Sequence, residues 1–421
     1  MDYNNINFLK SDQFNTIEIM ISLTCERDFE KEFYLRFLLS ILNSGTEKYK
    51  TKSELIKKTY DLYNASVFLS YKTYYKAQIV SLCIQTINPK FVHDENLLKD
   101  CITLGYDILY KPMLNKEKNG FDEKLFLECK KKLVANIKNI YNYKNTYANI
   151  KLLEHTRKEG ELPFRESLDF KKVEEIKNSD LYDFYLKLIN NCKVNIFASG
   201  DIDKDDVISA LSSFDFKSKD VSMIETFSKK DFKIEKVKEV KEEQDISQTK
   251  LFMSFRTSIC DNDAKNAALR VFNAMFGGMF TSTLSYNIRE KQSLVYDISS
   301  SLLSTRKVMI VSSGNDKAKT KHIISEVLKE LDNYKKGTID DKESLLDRAK
   351  EALINKIKEE NDDAMSRLNR MERVSMMPYL EPLTFIEKIN AVKIEDVIDV
   401  SKTFLLDTIY ILGGKENEWC N

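Results

Sequence analysis

The sequence predicts an α+β protein of two tandem homologous domains, each a largely antiparallel sheet with helices packed on one face. Three observations predict it. The two halves repeat one order of elements, each half mixes alternating strand patterns with apolar-striped helices, and both halves end on the same kind of apolar strand. In the first half, residues 17–25 read as a strand and 29–42 as an apolar helix. Gly45-Thr46 marks a turn, 53–62 a second helix, and Tyr63-Asn64-Ala65 closes the block. In the second half, 250–260 reads as a strand and 263–276 as a helix. Gly277-Gly278 makes the turn, 281–290 the next helix, and Leu294-Val295-Tyr296 closes that block.

Two strand-like runs follow each block, 66–73 and 76–86 in the first copy and 297–304 and 308–313 in the second. A helix comes next in each, 94–109 and 316–334, and the copies end alike at 194–200 and 408–414. The expected domains are 1–216 and 249–421, with a cleft between them as the natural place for function. Between them, 217–248 loses its apolar period and fills with Lys and Glu, as a charged linker does, although 232–237 alternates like an edge strand. Residues 121–141 and 340–372 read as long charged helices, the second stopped by Pro378 and Pro382. Lys130-Lys131-Lys132 reads as a solvated face of the first.

Composition narrows the function classes. The 421 residues are 42% hydrophobic, enough for two sizeable cores. Lys+Arg and Asp+Glu both number 66, so the basic excess of a nucleic-acid binder is missing. No apolar run reaches the roughly 20 residues of a membrane span, and the start of the chain lacks a signal-peptide layout. The cysteines, Cys25, Cys83, Cys101, Cys129, Cys192, Cys260 and Cys420, are scattered and show no C-x-x-C spacing. Reduced thiols and a cytoplasmic location follow as expectations.

The chain shows no catalytic apparatus of its own. Its three histidines, His93, His155 and His322, have no second histidine within a turn, so no helical zinc pair forms, and each reads as a surface or capping residue. No phosphate-binding loop or dinucleotide fingerprint is present. The sharpest segment is 277–296, a Gly-Gly turn feeding a helix, then Ile288-Arg289-Glu290-Lys291 and, after Leu294, Tyr296. Met275, Phe276, Met279 and Phe280 around that turn read as core packing rather than the lining of a binding chamber.

That segment resembles the signature of the pitrilysin/insulinase family of zinc metallopeptidases, most closely its processing-peptidase branch, and the likeness extends over essentially the whole chain. The resemblance implies that Arg289 and Tyr296 bind the peptide backbone near the scissile bond, where guanidinium and phenol donors grip a carbonyl without reading side chains. Taken from their residues alone, Arg289 is a helix-terminal arginine and Tyr296 a sheet-facing aromatic. Active relatives carry an inverted H-x-x-E-H before the Gly-Thr turn. Registered on Gly45-Thr46, those positions hold Arg36, Leu39 and Ser40; aligning an acid of the later helix with Glu128 puts the remaining ligand position at Ala135. Leu39 and Ala135 cannot ligate, and Arg36 repels a dication.

The resemblance therefore implies a non-catalytic, substrate-binding subunit of a heterodimeric zinc metallopeptidase. It would hold no cofactor of its own; zinc would sit in a homologous partner that bears the motif, and the substrate would be a short or unfolded peptide, with leader-peptide processing as one such role. Nucleic acid and membrane are not expected partners. Two other classes stay open: a structural or interaction protein with no proteolytic role, and a module that sequesters peptides uncut. Hydrolysis by an unrecognised Cys or Asp site is a third reading.

Overall fold

The computed structural model describes residues 6–164 and 167–414; Cys420 lies outside the described residues. Ten strands form two five-stranded sheets. The first contains β1 (Asn7–Lys10), β2 (Thr16–Glu26), β3 (Ser66–Tyr74), β4 (Ala77–Ile87) and β5 (Lys193–Gly200) in the order β1-β5-β2-β4-β3. The second contains β6 (Lys238–Gln244), β7 (Thr249–Arg256), β8 (Val295–Leu303), β9 (Val308–Asn315) and β10 (Leu405–Gly414) in the order β6-β10-β7-β9-β8. The second order reproduces the first strand for strand. In both sheets the first strand pairs parallel with the last, and every other pair is antiparallel.

Alternation along the central strands decides which face each residue covers. On β2, Ile17, Ile19, Ile21 and Leu23 enter the main core of the first unit with Phe37, Leu38 and Ile108. Leu251, Met253 and Phe255 on β7 do the same in the second unit, against Phe272, Leu331 and Phe404. Residues of opposite parity, Met20 on β2 and Phe252 on β7, join separate small clusters.

Those small clusters hold a feature that the sequence pattern does not reveal. The described chain forms two compact units that are not uninterrupted stretches. The first unit runs to Lys138, resumes over Asp169–Thr226 and closes with Glu360–Pro378; the second takes the chain from Asn139 to Leu168, Phe227–Glu359 and the chain from Tyr379 on. So the helix Ala364–Met376, from the second half of the sequence, packs on β2 and β5, where Leu368 meets Met20, Cys83 and Phe197. The helix Lys144–Thr156, from the first half, packs on β7 and β10, where Ala148 and Leu152 meet Phe252, Tyr410 and Leu412. Each sheet thus carries its main helical layer on one face and a single helix from the other half of the sequence on the other.

Polar contacts fasten these two helices. Glu372, 2% exposed, accepts from the hydroxyls of Ser22 and Ser81 (2.8 Å for Ser81) and from the Lys72 ammonium. In the second unit Thr156 Oγ1 meets Ser254 Oγ at 2.7 Å. Arg256 then grips both oxygens of Glu161 (2.9 and 2.6 Å), the Thr156 carbonyl (2.8 Å) and Asp407 (3.1 Å). Ser22 and Ser254 occupy corresponding positions, each flanked by two residues that face the main core, so one serine site serves as the anchor in both units.

Several expected extents change. The strand expected over 250–260 ends at Arg256, because Thr257 starts a turn in which its Oγ1 accepts from the Ile259 amide (3.2 Å). The single helix expected over 340–372 is two, Lys342–Glu359 and Ala364–Met376, and Asp363 caps the second by accepting from the Ser366 amide at 2.6 Å. Residues 232–237 form no strand; the edge strand is β6, whose sequence KEVKEEQ tolerates charge because only one of its sides is paired.

Candidate functional site

The block around Arg289 and Tyr296 belongs to the second unit. The helix Asn266–Asn273 continues into a π-helical turn, Ala274–Gly278, which lies against β8. Glycine is required there by close approach. A Cβ on Gly277 would stand 2.8 Å from the Ser300 amide nitrogen, and one on Gly278 would stand 2.6 Å from Asn273 Nδ2 and 2.8 Å from its carbonyl oxygen. Met275 and Phe276 are fully buried and Met279 packs against the core, as expected, but Phe280 is 76% exposed.

A second π-helical segment, Ser285–Lys291, carries Arg289. π-Helical turns are rare and occur often at functional sites. The Arg289 guanidinium donates from Nε (3.0 Å) and Nη2 (2.5 Å) to Glu290 Oε1 and lies 4.5 Å from the centroid of the Phe280 ring. Tyr296 stands on the edge strand β8, 66% exposed, and its hydroxyl donates to Asp316 Oδ1 at 3.1 Å. Both side chains therefore hold polar donors near the surface of their unit, each now engaged by one carboxylate.

The positions that the resemblance assigned to zinc lie on two helices of the first unit, Glu32–Leu42 and Glu123–Asn139. These helices are neighbours: the Phe37 and Phe126 rings meet at a 34° tilt with centroids 4.9 Å apart, and the Cys129 thiol donates to the Ser40 carbonyl at 3.6 Å. Leu39 is a core residue, 6% exposed. Arg36 and Ser40 are half-buried, and Ala135 is exposed. No group of three or more His, Cys, Asp or Glu among the described residues could hold a metal ion. The histidines are dispersed. His93 has left-handed backbone (φ 51°), His322 is exposed, and His155 stacks on Tyr410 with its pKa lowered by burial and by Lys238 and Lys151.

Sequence reasoning missed a cavity of about 940 Å³ beside the Arg289 segment, with Glu290, Glu326, Glu330, Asp340 and Asp341 in its wall. The signal was present as acids at i, i+4 on the helix Thr320–Lys336, but helical acids normally point to water, whereas Glu326 and Glu330 are 7% and 6% exposed.

Residues 175–353 match the model of the peptidase M16 inactive domain. A protein of Bacillus subtilis named probable inactive metalloprotease YmfF is 26% identical over 414 residues, which covers 97% of this chain and 96% of that one. The chain is thus similar to M16-like proteins whose own names mark them as inactive. M16 corresponds to the pitrilysin/insulinase resemblance read from 277–296. Two solved structures share its fold. A conserved protein from Enterococcus faecalis superposes with a TM-score of 0.88 at 23% identity, over 98% of this chain and 96% of that one. A peptidase M16 inactive domain structure from Pseudomonas fluorescens gives 0.74 at 17% identity, over 97% and 95%. The M16-like fold thus extends over essentially the whole chain. No helix of the described residues is long and apolar enough to cross a membrane.

Proposed function

We propose that this chain is the substrate-holding subunit of a two-chain zinc metallopeptidase that works in the cytoplasm on short or unfolded peptides, leader peptides among them. The zinc would be carried by a homologous partner that bears the H-x-x-E-H motif. Arg289 and Tyr296 would grip the peptide backbone beside that zinc, supplying donors to a carbonyl whose charge grows during hydrolysis. One contrast carries the reading. The helix pair that would hold zinc has Leu39 in its core and, among the described residues, no group of three or more His, Cys, Asp or Glu that could hold a metal, while the Gly-Gly turn, the π-helical segment and the donors Arg289 and Tyr296 are all present. The free thiols of the six described cysteines fit a reducing compartment.

A second reading, an interaction protein with no proteolytic role, is favoured by one observation: Glu290 and Phe280 already occupy the Arg289 guanidinium. Reconstitution separates the two. A peptide pool is incubated with this chain, with a zinc-motif relative from the same genome, and with their equimolar mixture, each with and without chelator. The proposal expects chelator-sensitive cleavage that is strongest in the mixture. It expects Arg289→Ala to lower turnover by about 10–100-fold, the loss of one charge-assisted hydrogen bond. Because the Arg289–Glu290 pair is surface-exposed, the same substitution should change stability by less than about 1 kcal/mol. A mixture no more active than the relative alone, or indifferent to Arg289→Ala, supports the second reading.

A further inference from the structure

The cavity beside the Arg289 segment has a charge ledger that does not close. Five carboxylates stand in its wall, and four are matched by a cation. Arg289 pairs with Glu290 at 2.5 Å, Lys329 with Glu326 at 3.2 Å, Arg348 with Asp341 at 3.6 Å and Lys291 with Asp340 at 3.8 Å. The fifth, Glu330, is 6% exposed and has no cation within ion-pair distance among the described residues. Its two oxygens accept only from neutral amides, Asn287 Nδ2 at 3.0 Å and Asn333 Nδ2 at 3.2 Å. A buried carboxylate is costly unless it is both hydrogen-bonded and paired. Here the hydrogen bonds are supplied and the counter-charge is missing.

A second polar group on the same wall is also unfinished. Ser282 is fully buried, lines the cavity, and its Oγ has no hydrogen-bond partner. The rest of the wall holds Lys291, Lys329 and Arg348, each engaged by its own carboxylate, neutral polar groups, and an apolar part that includes Tyr334, Ile339 and Leu345. The space, about 940 Å³, is that of an organic ligand. No cluster suited to a metal ion is present among the described residues. A methylene stem packs on such walls while its charged head reaches the acid.

We propose that this cavity binds an organic cation, an alkylammonium or guanidinium group on an aliphatic stem, with Glu330 as its counter-charge. The site does not depend on a partner subunit, on zinc or on proteolysis, so it stands or falls apart from the function proposed above.

Titration calorimetry on the full chain tests it with four probes: Nα-acetyl-lysine amide, Nα-acetyl-arginine amide, spermidine and the uncharged Nα-acetyl-norleucine amide. Saturable 1:1 binding is expected for at least one cation and none for the norleucine compound. Preference for the amino-acid amides assigns the site to basic residues of a peptide, and preference for spermidine to free polyamines. Glu330→Gln, which keeps the shape and removes the charge, should weaken binding by at least about tenfold. Thr338→Lys, at an exposed position on the cavity wall, should block the site with a tethered ammonium, and it decides the matter if Glu330→Gln does not fold. No binding by any cation, equal binding of the norleucine compound, or undiminished affinity in the folded variants would overturn the proposal.

Discussion

Replacing Glu372 by alanine should loosen the helix Ala364–Met376 from its sheet by about 3 kcal/mol. The magnitude follows from what the carboxylate holds. It is 2% exposed and accepts from Ser22, Ser81 and Lys72. Removing one partner of a buried pair costs about 3–5 kcal/mol, because the other is left uncompensated. Two features place the cost at the lower end. The Ser22 and Ser81 hydroxyls lie 3.2 Å apart and can satisfy each other. Lys72, its side chain 25% exposed, keeps Asn369 Oδ1 at 2.6 Å and reaches water. Native-state hydrogen exchange of the helix and of β2 and β5 is the suitable assay, since it reads local opening free energies where whole-chain unfolding of two units is not two-state. A second readout is Tyr74, whose phenol is pushed up to about 12, mainly by burial and then by the charge of Glu372. In Glu372→Gln that phenol should titrate at lower pH. A loss of helix protection below about 1 kcal/mol in Glu372→Ala, with Tyr74 unmoved in Glu372→Gln, would refute the reasoning.

Other perturbations have definite expected outcomes. Gly277→Ala should destabilise the second unit by about 1–3 kcal/mol, as overpacking does, because its Cβ would meet the Ser300 backbone at 2.8 Å; calorimetric melting reads this. Glu18, 1% exposed, has its carboxyl pKa raised chiefly by burial. A raised acid binds more protons folded than unfolded, so its penalty on stability appears as pH climbs through the folded pKa and vanishes below the unfolded value. Glu18→Gln should therefore raise the melting temperature at pH 7, with the gain lost below about pH 4. In a Cys420→Ser background, maleimide should label the half-buried Cys25 and Cys260 first. The buried Cys83 and Cys101, the latter pushed up to about 11 by burial, should react only after unfolding, as mass spectrometry of labelled peptides would show.

Much of the fold is legible because its signals are local. Alternation of Ile17, Ile19, Ile21 and Leu23 makes β2 a strand with one committed face, and the glycine pair at 277–278 marks a turn whose need for glycine is met by a neighbouring strand. The two fastened helices are not legible. Their apolar residues, Leu368 or Ala148 and Leu152, show that a face is buried but not against which sheet, and that choice is settled by contacts far apart in sequence. β6 escaped because a charged edge strand looks like a linker when its partner, β10, lies about 170 residues away. At the site, the side chains of 277–296 were readable as a motif. Glu330 was not, since its significance lies in a missing cation, which no pattern along the chain displays.

The most direct test of the inactive M16-like reading is made on the purified chain alone: metal content by mass spectrometry, together with cleavage of an unstructured peptide pool with and without chelator. The expected result is no stoichiometric zinc and no chelator-sensitive cleavage. One zinc per chain, with cleavage that chelation abolishes, would contradict it.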